Sequence, residues 1–257
     1  MATYKKRGYK PKTKEEKIVE EHEESTTAEV FDSLDESANK TEEWVEKNQK
    51  VIFGVIAVIL VAVLGYLAYY KFVAEPKEVE ATNEMSVAQE NFNTAIETTN
   101  LNVKDSIFNL SLNGAQGKYG MLDIIDNYGG TEAGNLAHYY AGMAYLETKD
   151  YQNAISQLQD FDADDTILAP LAQGAIGDAF VQLNQPEEAL GYYEKAVAAA
   201  TNEFTTPRFL FKAGVTAIET GASDKAIKYL NRIKDEFKDS EYASQADLYL
   251  GKAQQGN

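Results

Sequence analysis

Three segments of this chain align on a glycine followed twelve residues later by an alanine: Gly142 with Ala154, Gly177 with Ala189, and Gly214 with Ala226. Gly251 continues the series, with glycine-to-glycine steps of 35, 37 and 37 residues. A period of this length marks stacked units, each too small to bury its own apolar face. Each unit reads as helix, polar turn, helix, the turns being ETKDYQ, LNQPEE and ETGASDK. Pro186 or an acidic residue stands near each second-helix start, and Pro170 and Pro207 open first helices, as helix initiation prefers. Small residues at fixed points imply close packing: the glycines let the second helix approach and the alanines receive it, whereas larger side chains would overpack the pair. The expected fold class is all-α, a curved α-solenoid.

These residues resemble the tetratricopeptide repeat, whose unit carries a small pair in its first helix (helix A), an aromatic three residues on, then an alanine and a large apolar residue in helix B. Ala141, Gly142, Tyr145, Ala154 and Leu158 fit that pattern, as do Ile176, Gly177, Phe180, Ala189, Tyr193 and Ala196. The third unit supplies Ala213, Gly214, Ala226 and Leu230, with Ala217 in place of the aromatic. The family's first aromatic position holds His138, Gln173 and Leu210, so the repeats are degenerate. Upstream, KYGMLDIIDNYGGTEAGN reads as a lone helix B with Gly120 in the alanine slot and Ile124 in the apolar one, and TTNLNVKDS reads as a loop. Met85, Ala88, Phe92, Ala95 and Ile96 mark one face of an amphipathic helix.

Val51 to Tyr70 is a run of twenty residues without a charge. At about 1.5 Å per residue it crosses a hydrocarbon core of about 30 Å. Twelve of the twenty are Val, Ile, Leu or Phe, which favours insertion by about 4–7 kcal/mol. A cleaved leader has a shorter apolar run nearer the start. Tyr66, Tyr69, Tyr70 and Trp44 sit where rings favour the interface. Lys40, Lys47 and Lys50 precede the run and Lys71 and Lys77 follow it, a bias that places the N-terminus in the cytoplasm and the long C-terminal part outside, which in a bacterium is the periplasm.

Residues 1–50 hold ten basic and thirteen acidic residues; the remainder holds fourteen against twenty-eight, a net of −14. That excess excludes nucleic acid, which requires a basic surface. The chain has no cysteine, so disulfides and thiol chemistry are excluded too. The expected domains are 1–46, a charged and mostly disordered cytoplasmic tail; 47–73, a transmembrane helix; 74–100, an amphipathic linker helix; and 101–257, the repeat domain.

A charged tail, one uncleaved span and an exported tetratricopeptide-like domain together resemble the YfgM family. Membership implies an inner-membrane protein that associates with the SecYEG translocon and a PpiD-like membrane-anchored chaperone-isomerase, assisting newly exported chains. The alternative is a structural component of another envelope assembly, in surface secretion or division, with the span and tail making the contacts.

The residues offer little chemistry. His22 and His138 are the only histidines, which leaves transition metals almost no ligands. NGAQGKYG lacks phosphate-loop spacing. DFDADD alternates carboxylates, but Asp165 stands where a calcium loop needs glycine. No catalytic residue, cofactor, metal or small-molecule substrate is expected. Repeat solenoids bind along the concave face lined by helix A. Repeat positions put Leu136, Tyr139, Met143 and Glu147, then Leu171, Asp178 and Gln182, then Arg208, Phe211, Val215 and Glu219 toward that face. It mixes apolar with acidic groups, suiting a partner segment with apolar and basic residues; reversing Glu147, Asp178 and Glu219 to Lys should weaken capture and leave helicity unchanged. The competing expectation is that the chain's own Met85–Ile96 helix packs over much of it.

Overall fold

The computed structural model describes the backbone of residues 14–255 and the side chains of residues 41–254. Two units separate, Met1–Tyr69 and Tyr70–Asn257.

In the first unit, helix α1 runs through Lys14–Tyr69. The sequence reading expected a mostly disordered tail over 1–46. From Lys14 the backbone is instead helical, and the basic start of the chain lies outside the described residues. No proline or glycine occurs between Lys14 and Phe53, and Glu, Lys and Ala are good helix formers. The helical stretch Thr41–Glu97 contains an 18-residue window of mean hydropathy 2.9, none of it buried. It is long and apolar enough to cross a membrane.

The second unit opens with a π-helical turn, Tyr70–Ala74, and continues with α2 (Glu75–Glu97), α3 (Leu101–Asn113) and α4 (Met121–Tyr128). Three antiparallel hairpins follow: α5 (Glu132–Glu147) with α6 (Tyr151–Asp160), α7 (Leu168–Gln182) with α8 (Pro186–Ala199), and α9 (Thr205–Glu219) with α10 (Ser223–Glu236). Helix α11 (Ala243–Gln255) packs on α9 and α10. The described residues contain no strand, only an isolated bridge between Ala115 and Lys118. The architecture is an all-α, tetratricopeptide-like solenoid.

The repeated glycines act as their spacing predicts. A Cβ on Gly142 would stand 2.5 Å from Leu158, one on Gly177 2.6 Å from Tyr193, and one on Gly214 2.8 Å from Leu230. Ala154, Ala189 and Ala226 are fully buried. Any larger side chain at these points would force the paired helices apart. Gly251, at the same position of α11, has nothing within 4 Å of its would-be Cβ. Asp247 and Gln254 are exposed on this helix, and so is Leu248.

Each hairpin turn repeats one device. Lys149, Asn184 and Gly221 have φ of 67°, 57° and 74°. After each, an amide donates to a carbonyl five residues back: Asp150 to Tyr145, Gln185 to Phe180 and Ala222 to Ala217. This paired closure ends helix A and reverses the chain.

Three local expectations change. Leu101–Asn113 is a helix where part of TTNLNVKDS was expected as loop, because Asn100 accepts from the Val103 amide and caps it. Gly120 lies before α4 rather than inside a helix, its own amide held by Asp123. Ile96 is 51% exposed, off the buried face of α2. That face, Ala81, Met85, Ala88, Phe92 and Ala95, joins α3, α4 and α5 in one core. Phe92 meets the edges of Phe108 and Tyr140, and the buried Ser111 hydroxyl donates to the Ala88 carbonyl.

Candidate interaction surface

Helices α5, α7 and α9 carry the eleven side chains that repeat position assigns to the concave face. Only Glu147, Gln182 and Glu219 are exposed. The rest are partly covered by the chain itself. Leu136 packs on the α2–α5 core, Met143 bridges that core to the next one, and Leu171 packs on the core built around α8 and α9. Tyr139 lies between Tyr140 and Phe161, with ring centroids at 6.0 and 5.3 Å. Burial, then the neighbouring Tyr140, pushes its phenol above the ordinary value against the pull of Arg208. Phe211 is covered by Tyr242 and Tyr249, and Arg208 stands over the ring of Phe209. Val215 is half-buried.

Two of the three acidic groups expected to meet a basic partner already hold lysines. The Asp178 carboxylate accepts from Lys212 at 2.5 and 2.6 Å and from the Tyr193 hydroxyl at 2.7 Å. Burial first, then that carboxylate, raises the Tyr193 phenol far above its usual range. Glu147 pairs at 2.5 Å with Lys104 of α3. Of the three, Glu219 alone has no ion-pair partner among the described residues. The expectation of an acidic groove is thus corrected: most of its charge is neutralised within the fold. The competing expectation, that the Met85–Ile96 helix packs over much of the face, is met only at α5, where Leu136 and Met143 join its core; α2 does not reach α7 or α9. Helix α2 also meets Tyr140 of α5 through Phe92, while Lys104 reaches Glu147 from α3.

What remains open is a pocket of about 400 Å³ that brings together Glu147, Asp178 and Gln182 with Tyr151, Val181 and Lys212. The Tyr151 hydroxyl donates to Gln182 at 3.4 Å. The pocket lining mixes the paired charges of Asp178 and Lys212 and the exposed Lys149 with the apolar Leu146 and Val181. Repeat position did not find Lys212 or Tyr151, because their roles depend on contacts across hairpins; Tyr193, found as a helix-B core position, reaches Asp178 within its own hairpin. The one available signal was an opposite charge 34 residues from Asp178, nearly one repeat away.

Two other singled-out groups are structural. His138 Nδ1 lies 2.8 Å from Gln157 Oε1, tying α5 to α6. Asp165, in DFDADD, accepts from the amides of Ile167 and Leu168 and so caps α7.

Two stretches match family models described as tetratricopeptide repeat, residues 136–163 and residues 175–241. The first takes in most of α5 and α6, and the second most of α7 through α10. No curated protein matches the chain. Tetratricopeptide repeats are protein-interaction modules, so the chain carries a scaffold for protein partners.

Proposed function

We propose that this is a single-pass inner-membrane protein with a cytoplasmic N-terminus, whose periplasmic solenoid holds protein partners as an ancillary of the Sec translocon. One observation supports the reading above all: an unburied apolar window sits in the same chain as, and just ahead of, a tetratricopeptide-like stack. Twenty uncharged residues in one exposed helix suit a hydrocarbon core. The open pocket around Gln182 offers a partner segment both apolar contact and hydrogen bonds, as helix-A grooves do. SecYEG and a PpiD-like chaperone-isomerase are the partners this reading names, because the layout resembles the YfgM family. Catalysis has no part in it.

A two-part experiment tests it. Alkaline phosphatase and green fluorescent protein fused after Gln255 report the side of the membrane, the first active only outside the cytoplasm. A photo-crosslinker at Gln182 or Glu219 then captures what occupies the groove. An active phosphatase with translocon or chaperone adducts supports the proposal. A fluorescent fusion removes the periplasmic assignment, and adducts from only another envelope machine leave the scaffold but replace its translocon role.

A further inference from the structure

The edge of the solenoid formed by the connections between hairpins has a chemistry unlike that of the helix-A groove. Ile167 and Phe204 stand immediately before α7 and α9, at positions 37 residues apart, the same step as from Gly177 to Gly214. Both are exposed, Phe204 at 62%. The Asn202 side chain donates to the Thr166 carbonyl at 2.8 Å and ties the two connections together.

The exposure of Phe204 has a traceable cause. In the first hairpin, Phe161 of the following connection packs on Tyr139; after the third, Tyr242 packs on Phe211. The corresponding helix-A position of the middle hairpin is Gly174, and the space above it is filled by Phe209. Phe204 therefore has no ring to pack on among the described residues. Beside Ile167 opens a cleft of about 740 Å³ with Leu136, Phe161 and Leu168 as apolar walls. Glu132, Asp162, Asp164 and Asp165 also line it, with no Lys or Arg. None of these four carboxylates is in an ion pair among the described residues. The charge of Arg208 lowers the Tyr139 phenol while that of Asp165 raises it, and Lys195 lines the neighbouring pocket that also takes in Phe161 and Asp162.

We propose that this edge docks a partner polypeptide segment carrying Lys or Arg beside a large apolar side chain. The apolar group seats against Phe204 and Ile167, and the cations face the unpaired carboxylates of the cleft. Exposed aromatic anchors dominate such interfaces, and complementary charge selects and steers the partner. The inference rests on the solenoid being a protein-binding module and is independent of its topology or any translocon role.

The full chain in zwitterionic nanodiscs is titrated with a labelled peptide alternating Lys with Leu and Phe, and with its Glu-for-Lys counterpart. The Lys peptide binds and the Glu peptide does not. The double variant Asp162→Asn, Asp164→Asn weakens binding about tenfold and flattens its salt dependence, while Phe204→Ala weakens it about tenfold and leaves that dependence in place. Glu188→Lys, exposed and outside both the cleft and the groove pocket, changes nothing, and circular dichroism of every variant matches the parent. Asp165 is left intact because it caps α7. Equal binding of the Glu peptide, or edge variants that bind like the parent, would overturn the proposal. A loss confined to the groove variant Glu219→Lys overturns it too, while the groove of the proposed function stands. Self-association of the parent that Phe204→Ala abolishes would replace the partner with a second copy.

Discussion

The ring of Phe209, from the first helix of the third hairpin, occupies the place where a Cβ on Gly174 would stand. Both residues are buried, so the contact joins neighbouring hairpins with no room to relax. Gly174→Ala should destabilise the solenoid by about 1–3 kcal/mol. Gly191, in α8, has nothing within 4 Å of its would-be Cβ. Gly191→Ala should stabilise by about 0.5–1 kcal/mol, because it removes only chain entropy. Urea denaturation of the two variants reads opposite signs; two destabilised proteins would show that the space around Gly191 is not free.

Asp178 is a structural link between repeats before it is a recognition group. Its side chain and that of Lys212 are each 28% exposed, so solvent screens part of the attraction, and Asp178→Ala should cost about 1 kcal/mol. A double-mutant cycle with Lys212→Met should return a coupling of similar size. Reversal to Lys places two ammonium groups together and loses more. Of the reversals at Glu147, Asp178 and Glu219 that were expected to leave helicity unchanged, only that at Glu219 breaks no ion pair among the described residues. Thermal melts followed by circular dichroism separate Asp178 from Glu219.

Glu194 sets an acid limb of stability. Burial alone would raise its carboxyl, but hydrogen bonds from Lys225 and Tyr229, with the charges of Lys225 and Lys228, together hold it below the ordinary value. A carboxyl lowered in the folded state stabilises above its unfolded pKa, and that contribution disappears as pH falls through the folded value. Tyr193 and Tyr229 are raised, chiefly by burial, so their contribution is complete below pH about 10 and is lost above it. Glu194→Gln should flatten the stability profile below pH about 4.5 relative to the parent. Parallel profiles in that range would remove Glu194 from the account.

Glu78 caps a helix that begins more than fifty residues later. Its carboxylate accepts from the amides of Glu132 at 2.8 Å and Ala133 at 3.0 Å, at the start of α5. Glu78→Ala should cost about 1 kcal/mol, from two lost amide partners and a lost charge at a helix N-terminus. Hydrogen exchange should accelerate at those two amides first. Unchanged exchange there would mean that Thr131, which already accepts from Gly134, caps α5 without help.

Local rules made the repeat legible. A Gly and an Ala twelve residues apart dictate how closely two helices approach, whatever surrounds them, so Gly142, Gly177 and Gly214 named their hairpins before any coordinate. The uncharged run Val51–Tyr70 announced itself as plainly, because length and polarity alone govern that reading. Boundaries were less visible: Asn100 starts a helix in a stretch that composition marks as loop, since one side-chain cap outweighs several poor helix formers.

The candidate surface depended on pairings that no local pattern carries. Repeat position put Glu147, Asp178 and Glu219 on one face, and only tertiary contact told which remained charged toward solvent: Lys104 comes from α3, forty-three residues before Glu147, and Lys212 from the next repeat. Covering of Phe211 by Tyr249 and exposure of Phe204 likewise follow from which ring reached which space first. Sequence by itself determined the helices, the period and the apolar span, because those are set by neighbours along the chain. Tertiary structure decided which carboxylates and rings were left for a partner, because charge neutralisation and burial are properties of groups brought together from distant positions.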